Sequence, residues 1–214
     1  MISQWLKVEG LLFDRDDIPS VLIPRGLLLN GGTGTGKTLG SKVIAKKLGI
    51  NLYRLDLGQL LNMYIGNSEA NLARALSYIE RMAPCALLID ECEKLFGIDD
   101  ESGVMGRLLG ALLWWMQEHK SRVLMLMTTN DMDAIPEELF RPGRIDYSLE
   151  FTGIKSTKIP KFVKGLLASL QLSDILNEEQ IKEIQTSVVE SGVATQAAVT
   201  QEVYRAVKIA LITQ

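Results

Sequence analysis

Up to about residue 150, short continuous apolar runs alternate with stretches whose apolar residues return every three or four positions. Residues 51–55 read as a strand, while Leu27-Leu28-Leu29 within residues 26–30, Cys85-Ala86-Leu87-Leu88-Ile89 and residues 122–127 are the continuous runs. Each reads as a strand buried on both faces, the signature of a parallel sheet with helices on either side. Between them, Leu39, Val43, Ile44 and Leu48, then Leu72, Leu76 and Ile79, then Val104, Leu108, Ala111, Leu112 and Trp115, recur at helical spacing. A short helix is predicted from Pro136, and Ile145, Tyr147, Leu149 and Phe151 alternate as a last strand. From Thr157 onward the strand signal ends, and residues 160–170, 178–189 and 195–211 read as helices. Ahead of the first strand, Pro19 and Pro24 frame Val21-Leu22-Ile23, which predicts an extended approach whose apolar residues either flank a ligand or simply pack. The pattern therefore divides the chain into an approach segment at 1–25, an αβα core at 26–152 and a helical appendage at 153–214.

Trp114 falls on the polar side of its predicted helix, near Arg107 and Glu118. An aromatic there is either covered by a neighbouring element or offered to a partner surface.

Composition narrows the picture without naming a function. The 214 residues carry 23 basic and 26 acidic side chains, so nothing in the charge balance points to nucleic acid or an anionic membrane. Lys155, Lys158, Lys161 and Lys164 recur every third residue, but Pro160 interrupts them, and they read as a solvated face. Cys85 and Cys92 form no C-x-x-C pair and read as reduced core residues of a cytoplasmic protein. No apolar run approaches the roughly 18 residues that span a bilayer.

The chemistry is concentrated in Gly31-Gly32-Thr33-Gly34-Thr35-Gly36-Lys37-Thr38, which fits G-x-x-x-x-G-K-[ST] without a mismatch and sits between a strand and a helix. Glycines let successive backbone N–H groups converge on one anion, and the opening helix adds its positive end. Lys37 is placed for the β- and γ-phosphates, and the Thr38 hydroxyl for Mg2+. In a parallel sheet ligands bind beyond the carboxyl ends of the strands, where Asp90, Glu91 and Asn130 also fall. Asp90 can hold Mg2+ through water; Glu91 can act as general base or orient the attacking water; Asn130 can hold that water or a γ-phosphate oxygen. The plainer reading of Asp90-Glu91 is a cap on the following helix. Arg141 and Arg144 lie on a Pro-Gly turn expected to project them outward, as arginines completing a neighbouring subunit's site would be, or as a surface salt-bridge pair.

Together the phosphate loop, the strand ending in Asp90-Glu91, Thr128-Thr129-Asn130 and residues 138–146 (ELFRPGRID) resemble the AAA clade of AAA+ ATPases. More narrowly, Pro24-Arg25-Gly26-Leu27-Leu28-Leu29 and the core are similar to the plastid and cyanobacterial AAA proteins. The resemblance is strong over about residues 20–152. It implies a P-loop NTPase fold, an αβα parallel-sheet core with a helical lid, assembled as a hexameric ring that binds ATP or ADP with Mg2+. By position, residues 31–38 with Leu39 would bind nucleotide, Asp90 and Thr38 the metal, and Glu91, Asn130, Arg141 and Arg144 would be catalytic. Gly192 would fall near the adenine. Tyr64-Ile65-Gly66 matches the pore loop, with Tyr64 gripping a protein substrate; otherwise Tyr64 is a packed loop aromatic. Asn67 and Cys92-Glu93 depart from the family pattern, neither expected to touch the chemistry. Relatives usually carry an N-terminal specificity domain, and almost nothing precedes the core here. Two functions follow from the resemblance: an ATPase that remodels or threads protein, or a nucleotide-switched adaptor that hydrolyses slowly.

Overall fold

The computed structural model describes residues 2–13, 15, 17–19, 22–56, 68–96, 103–173 and 175–212. Tyr64, Ile65, Gly66 and Asn67 lie outside the described residues. Contacts group the chain into two units, Met1–Gly31 with Lys37–Glu150, and Gly32–Gly36 with Phe151–Gln214.

The first unit is built on a five-stranded parallel sheet of order β2-β3-β4-β1-β5. The strands are β1 (Gly26–Asn30), β2 (Asn51–Arg54), β3 (Cys85–Ile89), β4 (Val123–Thr129) and β5 (Tyr147–Glu150). Helices α1 (Ile2–Phe13), α2 (Lys37–Leu48), α3 (Ser68–Arg81) and α4 (Val104–Glu118) accompany it. This is the αβα P-loop architecture read from the pattern. Strands β3 and β4 are buried along their whole length, as continuous apolar runs require. Leu28, Leu87, Met125 and Met127 meet Leu72, Leu76, Leu108, Leu112 and Trp115 in one core. Fully burying each such side chain contributes about 1.5–3 kcal/mol before entropy is charged against it.

Three elements differ from expectation. Residues 2–13, to which the pattern assigned no element, form a helix: Trp5, Gly10 and Phe13 are its buried positions, and α1 packs on α2. The Tyr147 hydroxyl also donates to Glu9 Oε1 at 2.5 Å, tying α1 to β5. Strand β4 runs two residues further than its apolar stretch, because Thr128 and Thr129 continue the register opposite Leu29 and Asn30. Strand β5 is shorter than the alternation suggested. Ile145 precedes it as a core residue, while Tyr147 is exposed on this edge of the sheet.

Gly26, where β1 begins, is fixed by sterics. A Cβ there would lie 1.9 Å from the Arg144 carbonyl oxygen, so the backbone of the arginine turn packs directly on the glycine. Asp146 secures the same junction, its Oδ2 accepting from the Arg25 and Gly26 N–H groups at 2.6 and 3.1 Å.

In the second unit, α5 (Ile159–Ser169), α6 (Glu178–Glu190) and α7 (Gln196–Ile212) share a core of Ile159, Val163, Leu167, Ile184, Val188, Val199 and Val203. These are the three helices read from the periodicity. Pro160 occupies the first turn of α5, and Asn177 with Gln180 closes a capping box on α6. The loop 32–36 belongs to this unit through Gly34, whose carbonyl accepts the Ala197 N–H at 3.0 Å, satisfying one of the free donors that open α7. Gly34 has φ 77, and a Cβ on it would stand 3.1 Å from that of Ala197.

Candidate functional site

Within the first unit, the start of α2 brings Lys37 to Asn130 at the carboxyl end of β4 and Thr38 to Asp90 at that of β3, with Glu91 following Asp90. The Lys37 ammonium donates to the Gly31 carbonyl at 2.6 Å and to Asn130 Oδ1 at 2.8 Å. It is buried, and desolvation lowers its pKa, opposed by the charges of Glu93, Asp90 and Glu91. The Thr38 hydroxyl faces both Asp90 oxygens, at 3.0 and 3.2 Å. Thr128 Oγ1 donates to Asp90 Oδ1 at 2.6 Å and accepts the Glu91 N–H at 2.9 Å, so one hydroxyl orders both acidic residues. Arg54, from the end of β2, stands 3.7 Å from Asp90 Oδ2.

Asp90 and Glu91 diverge because the chain turns sharply between them. Glu91 has φ 55, a left-handed conformation that non-glycine residues seldom hold and that tends to mark functional sites. Its carboxylate is half exposed and paired with Lys94 one turn on. The turn that follows, residues 92–95, is a 3-10 helix that buries Cys92 and Leu95. Glu91 makes no side-chain capping hydrogen bond to that turn, and Asp90 accepts from Thr38 and Thr128 instead. Glu93 in that turn accepts from the Asn130 backbone N–H at 3.2 Å and from Nδ2 at 2.9 Å. The departure at Glu93, expected to stand apart from the chemistry, is in direct contact with Asn130.

Oxygens from a hydroxyl and a carboxylate, held within one hydrogen bond of each other, suit Mg2+, which takes few protein oxygens and completes its shell with phosphate and water. Thr38 and Asp90 fit that description. Among the described residues there is no cluster of three acidic, histidine or cysteine side chains that would hold a metal without such help.

The two arginines part company. Arg141 is exposed and makes no side-chain hydrogen bond or ion pair among the described residues. Arg144, expected to project outward with it, is buried instead: Nη1 donates to the Glu138 carbonyl at 2.7 Å and Nη2 to Gln117 Oε1 at 3.3 Å. The physical reason is the tight turn. Its peptide nitrogen bonds the Arg141 carbonyl at 3.2 Å, which reverses the chain and turns the second arginine toward α4.

The remaining predicted residues are described by the elements that carry them. Leu39 is half exposed on α2, and Gly192, at φ 69, ends α6 in the second unit with the loop 32–36. Trp114 is 66% exposed on α4. Cys85 and Cys92 are free and buried, and burial raises their thiols to about 11 and about 12.

Residues 27–152 match the family model described as ATPase family associated with various cellular activities (AAA). The chain is 38% identical over 161 residues to the uncharacterized AAA domain-containing protein ycf46 of Guillardia theta, covering 73% of this chain and 32% of that protein. It is 36% identical over 153 residues to the ycf46 protein of Pyropia yezoensis, covering 68% and 30%. It is also 38% identical over 166 residues to the peroxisomal ATPase PEX6 of Saccharomyces cerevisiae, covering 70% and 16%. The chain thus spans under a third of the ycf46 relatives and about a sixth of PEX6.

Proposed function

The chain belongs to the AAA family of ATPases, and from that premise we propose that it binds ATP with Mg2+ and hydrolyses it at the subunit interfaces of a ring, using the cycle to remodel or thread a protein. The observation that carries this reading is a pair of contacts made by adjacent residues at the start of α2, Lys37 to Asn130 at the end of β4 and Thr38 to Asp90 at the end of β3.

Each residue's task follows from its chemistry. The loop 31–36 supplies N–H groups to the phosphates, and Lys37 exchanges the Gly31 carbonyl and Asn130 for the β- and γ-phosphates, whose charge compensates its desolvation. Thr38 and Asp90 hold Mg2+, which when bound neutralises charge on the phosphate oxygens. Glu91, freed from Lys94, accepts a proton from the attacking water, and Asn130 orients that water. Arg141, exposed on its own protomer, supplies positive charge to the next protomer's γ-phosphate. Arg144 braces the turn that presents it. Tyr64 grips the substrate from the pore loop. The free buried thiols suit a reducing compartment, which we take to be the cytoplasm.

The nucleotide-switched adaptor is the second reading, favoured by the exposed Trp114. Glu91→Gln separates the two. The ATPase reading expects retained ATP binding, turnover lowered by about 100-fold or more, and accumulation of a larger oligomer in size-exclusion chromatography with ATP. Unchanged turnover would remove Glu91 from its role. A wild-type protein that binds ATP, does not turn it over and captures a partner only in that state would favour the adaptor.

A further inference from the structure

Asn130 is held from two sides by groups of opposite kind. An ammonium can only donate and an ionised carboxylate can only accept, so Lys37 on one side and Glu93 on the other leave the Asn130 amide one orientation. Its oxygen faces Lys37 and its nitrogen faces Glu93. Glu93 Oε1 takes the backbone N–H of Asn130 as well, fixing the end of β4 and the side chain with one atom. Glu93 Oε2 is buried without a hydrogen-bond partner among the described residues. An ionised oxygen in that position is compensated through the nearby positive charge, and Glu93 is the largest charge contribution opposing the desolvation of Lys37.

We propose that Glu93 is a positioning residue for ATP hydrolysis: by holding both nitrogens of Asn130 it keeps the amide oxygen turned toward Lys37 and the phosphate end of the site. The inference rests on the ATPase reading above and adds a residue to it. When Lys37 moves to the phosphates, Glu93 still holds the Asn130 amide nitrogen and opposes rotation of the amide. The exposed Asn130 oxygen then remains an acceptor for the O–H of the attacking water. Without Glu93 the amide nitrogen loses the acceptor that orients it, and turning its NH2 group toward the site would deprive a water held through its hydrogens of the amide oxygen.

The test is a pair of substitutions in the full chain, read three ways. Glu93→Ala is expected to lower kcat by about 10- to 100-fold, the scale of losing orientation at a reacting water, while ADP affinity and the melting temperature stay near wild type. Glu93→Gln keeps an acceptor oxygen for the two N–H groups, and is expected to restore kcat to within about 3-fold. In an Asn130→Ala background the Glu93→Ala substitution should add no more than about 2-fold, because the residue it acts through is gone. In parallel, the Asn130 side-chain amide resonance in protein labelled with 15N-asparagine, assigned by its loss in Asn130→Ala, should shift on Glu93→Ala. That readout needs no catalysis, so a protein inactive toward ATP would count against the ATPase reading while the resonance still decides the contact. An unchanged resonance would overturn the proposal. So would a kcat loss of undiminished size in the Asn130→Ala background, or a loss of ADP affinity that matches the loss of kcat.

Discussion

The rim at the ends of β3 and β4 and the turn carrying Arg141 and Arg144 both belong to the first unit, and they are finished to different degrees. At the rim each functional group already has a partner within the chain: Lys37 with Asn130, Thr38 and Thr128 with Asp90, Glu91 with Lys94, and Asn130 with Glu93. At the turn, one guanidinium is anchored inward and the other reaches solvent with no partner among the described residues. A partnered rim is a binding surface prepared in a single chain. An exposed arginine on a turn whose backbone is pinned by Gly26 and Asp146 is a charge held ready for something else. The contrast corresponds to the proposal that nucleotide is bound within one chain and hydrolysed with the help of a neighbour.

The largest expected effect separates the two arginines. Arg141→Ala should lower steady-state kcat by about 1,000-fold or more with ADP affinity and melting temperature unchanged, as removal of a charge supplied in trans does. Arg144→Ala should instead lower the melting temperature, since it leaves the Glu138 carbonyl without its donor, a loss of about 1–3 kcal/mol. Equal behaviour of the two variants in both assays would erase the distinction. The next largest effect is expected at Gly26→Ala. Its Cβ would strike the Arg144 backbone, and about 3 kcal/mol of stability should be lost in urea titrations, together with part of the turnover because the turn is displaced. A neutral substitution would show that the turn is free to move. The smallest effect tests α4, against which the turn is braced. His119, the chain's single histidine, is stacked on Trp115 at 4.2 Å, and burial lowers its pKa from 6.5, with Arg25 adding to the effect. The unfolded chain therefore binds more protons than the folded one as pH falls below 6.5, so stability present above 6.5 declines through the window down to the folded value. Replacing His119 by Gln should flatten that part of the melting-temperature profile between pH 7 and 5. An unaltered slope would assign the pH dependence to carboxylates.

These regions were unequally legible in the sequence. The sheet and the three C-terminal helices were readable because burial imposes a period, and the cluster of Lys37, Thr38, Asp90 and Asn130 because strand ends converge on one rim. Helix α1 was not, since only Trp5, Gly10 and Phe13 are buried and Val8 and Leu11 are exposed, which blurs the amphipathic pattern. Thr128 and Glu93 were passed over as site residues for another reason. Each acts through a hydrogen bond to a residue more than 35 positions away, a link that spacing along the chain does not encode. The signal that could have raised Glu93 was its charge next to a buried Cys92. Arg144 read as Arg141's twin because a Pro-Gly turn says that the chain reverses, without saying which side chain it turns inward.

The central claim, that an arginine from a neighbouring subunit completes each site, is tested most directly by mixing two inactive variants. Lys37→Ala should fail to bind nucleotide and Arg141→Ala should bind it without hydrolysis. Combined in equal amounts and reassembled with ATP, they should regain roughly a quarter of wild-type turnover, because random neighbours in a ring pair an intact pocket with an intact arginine that often. A mixture as inactive as its parts, or full turnover by Arg141→Ala alone, would contradict it.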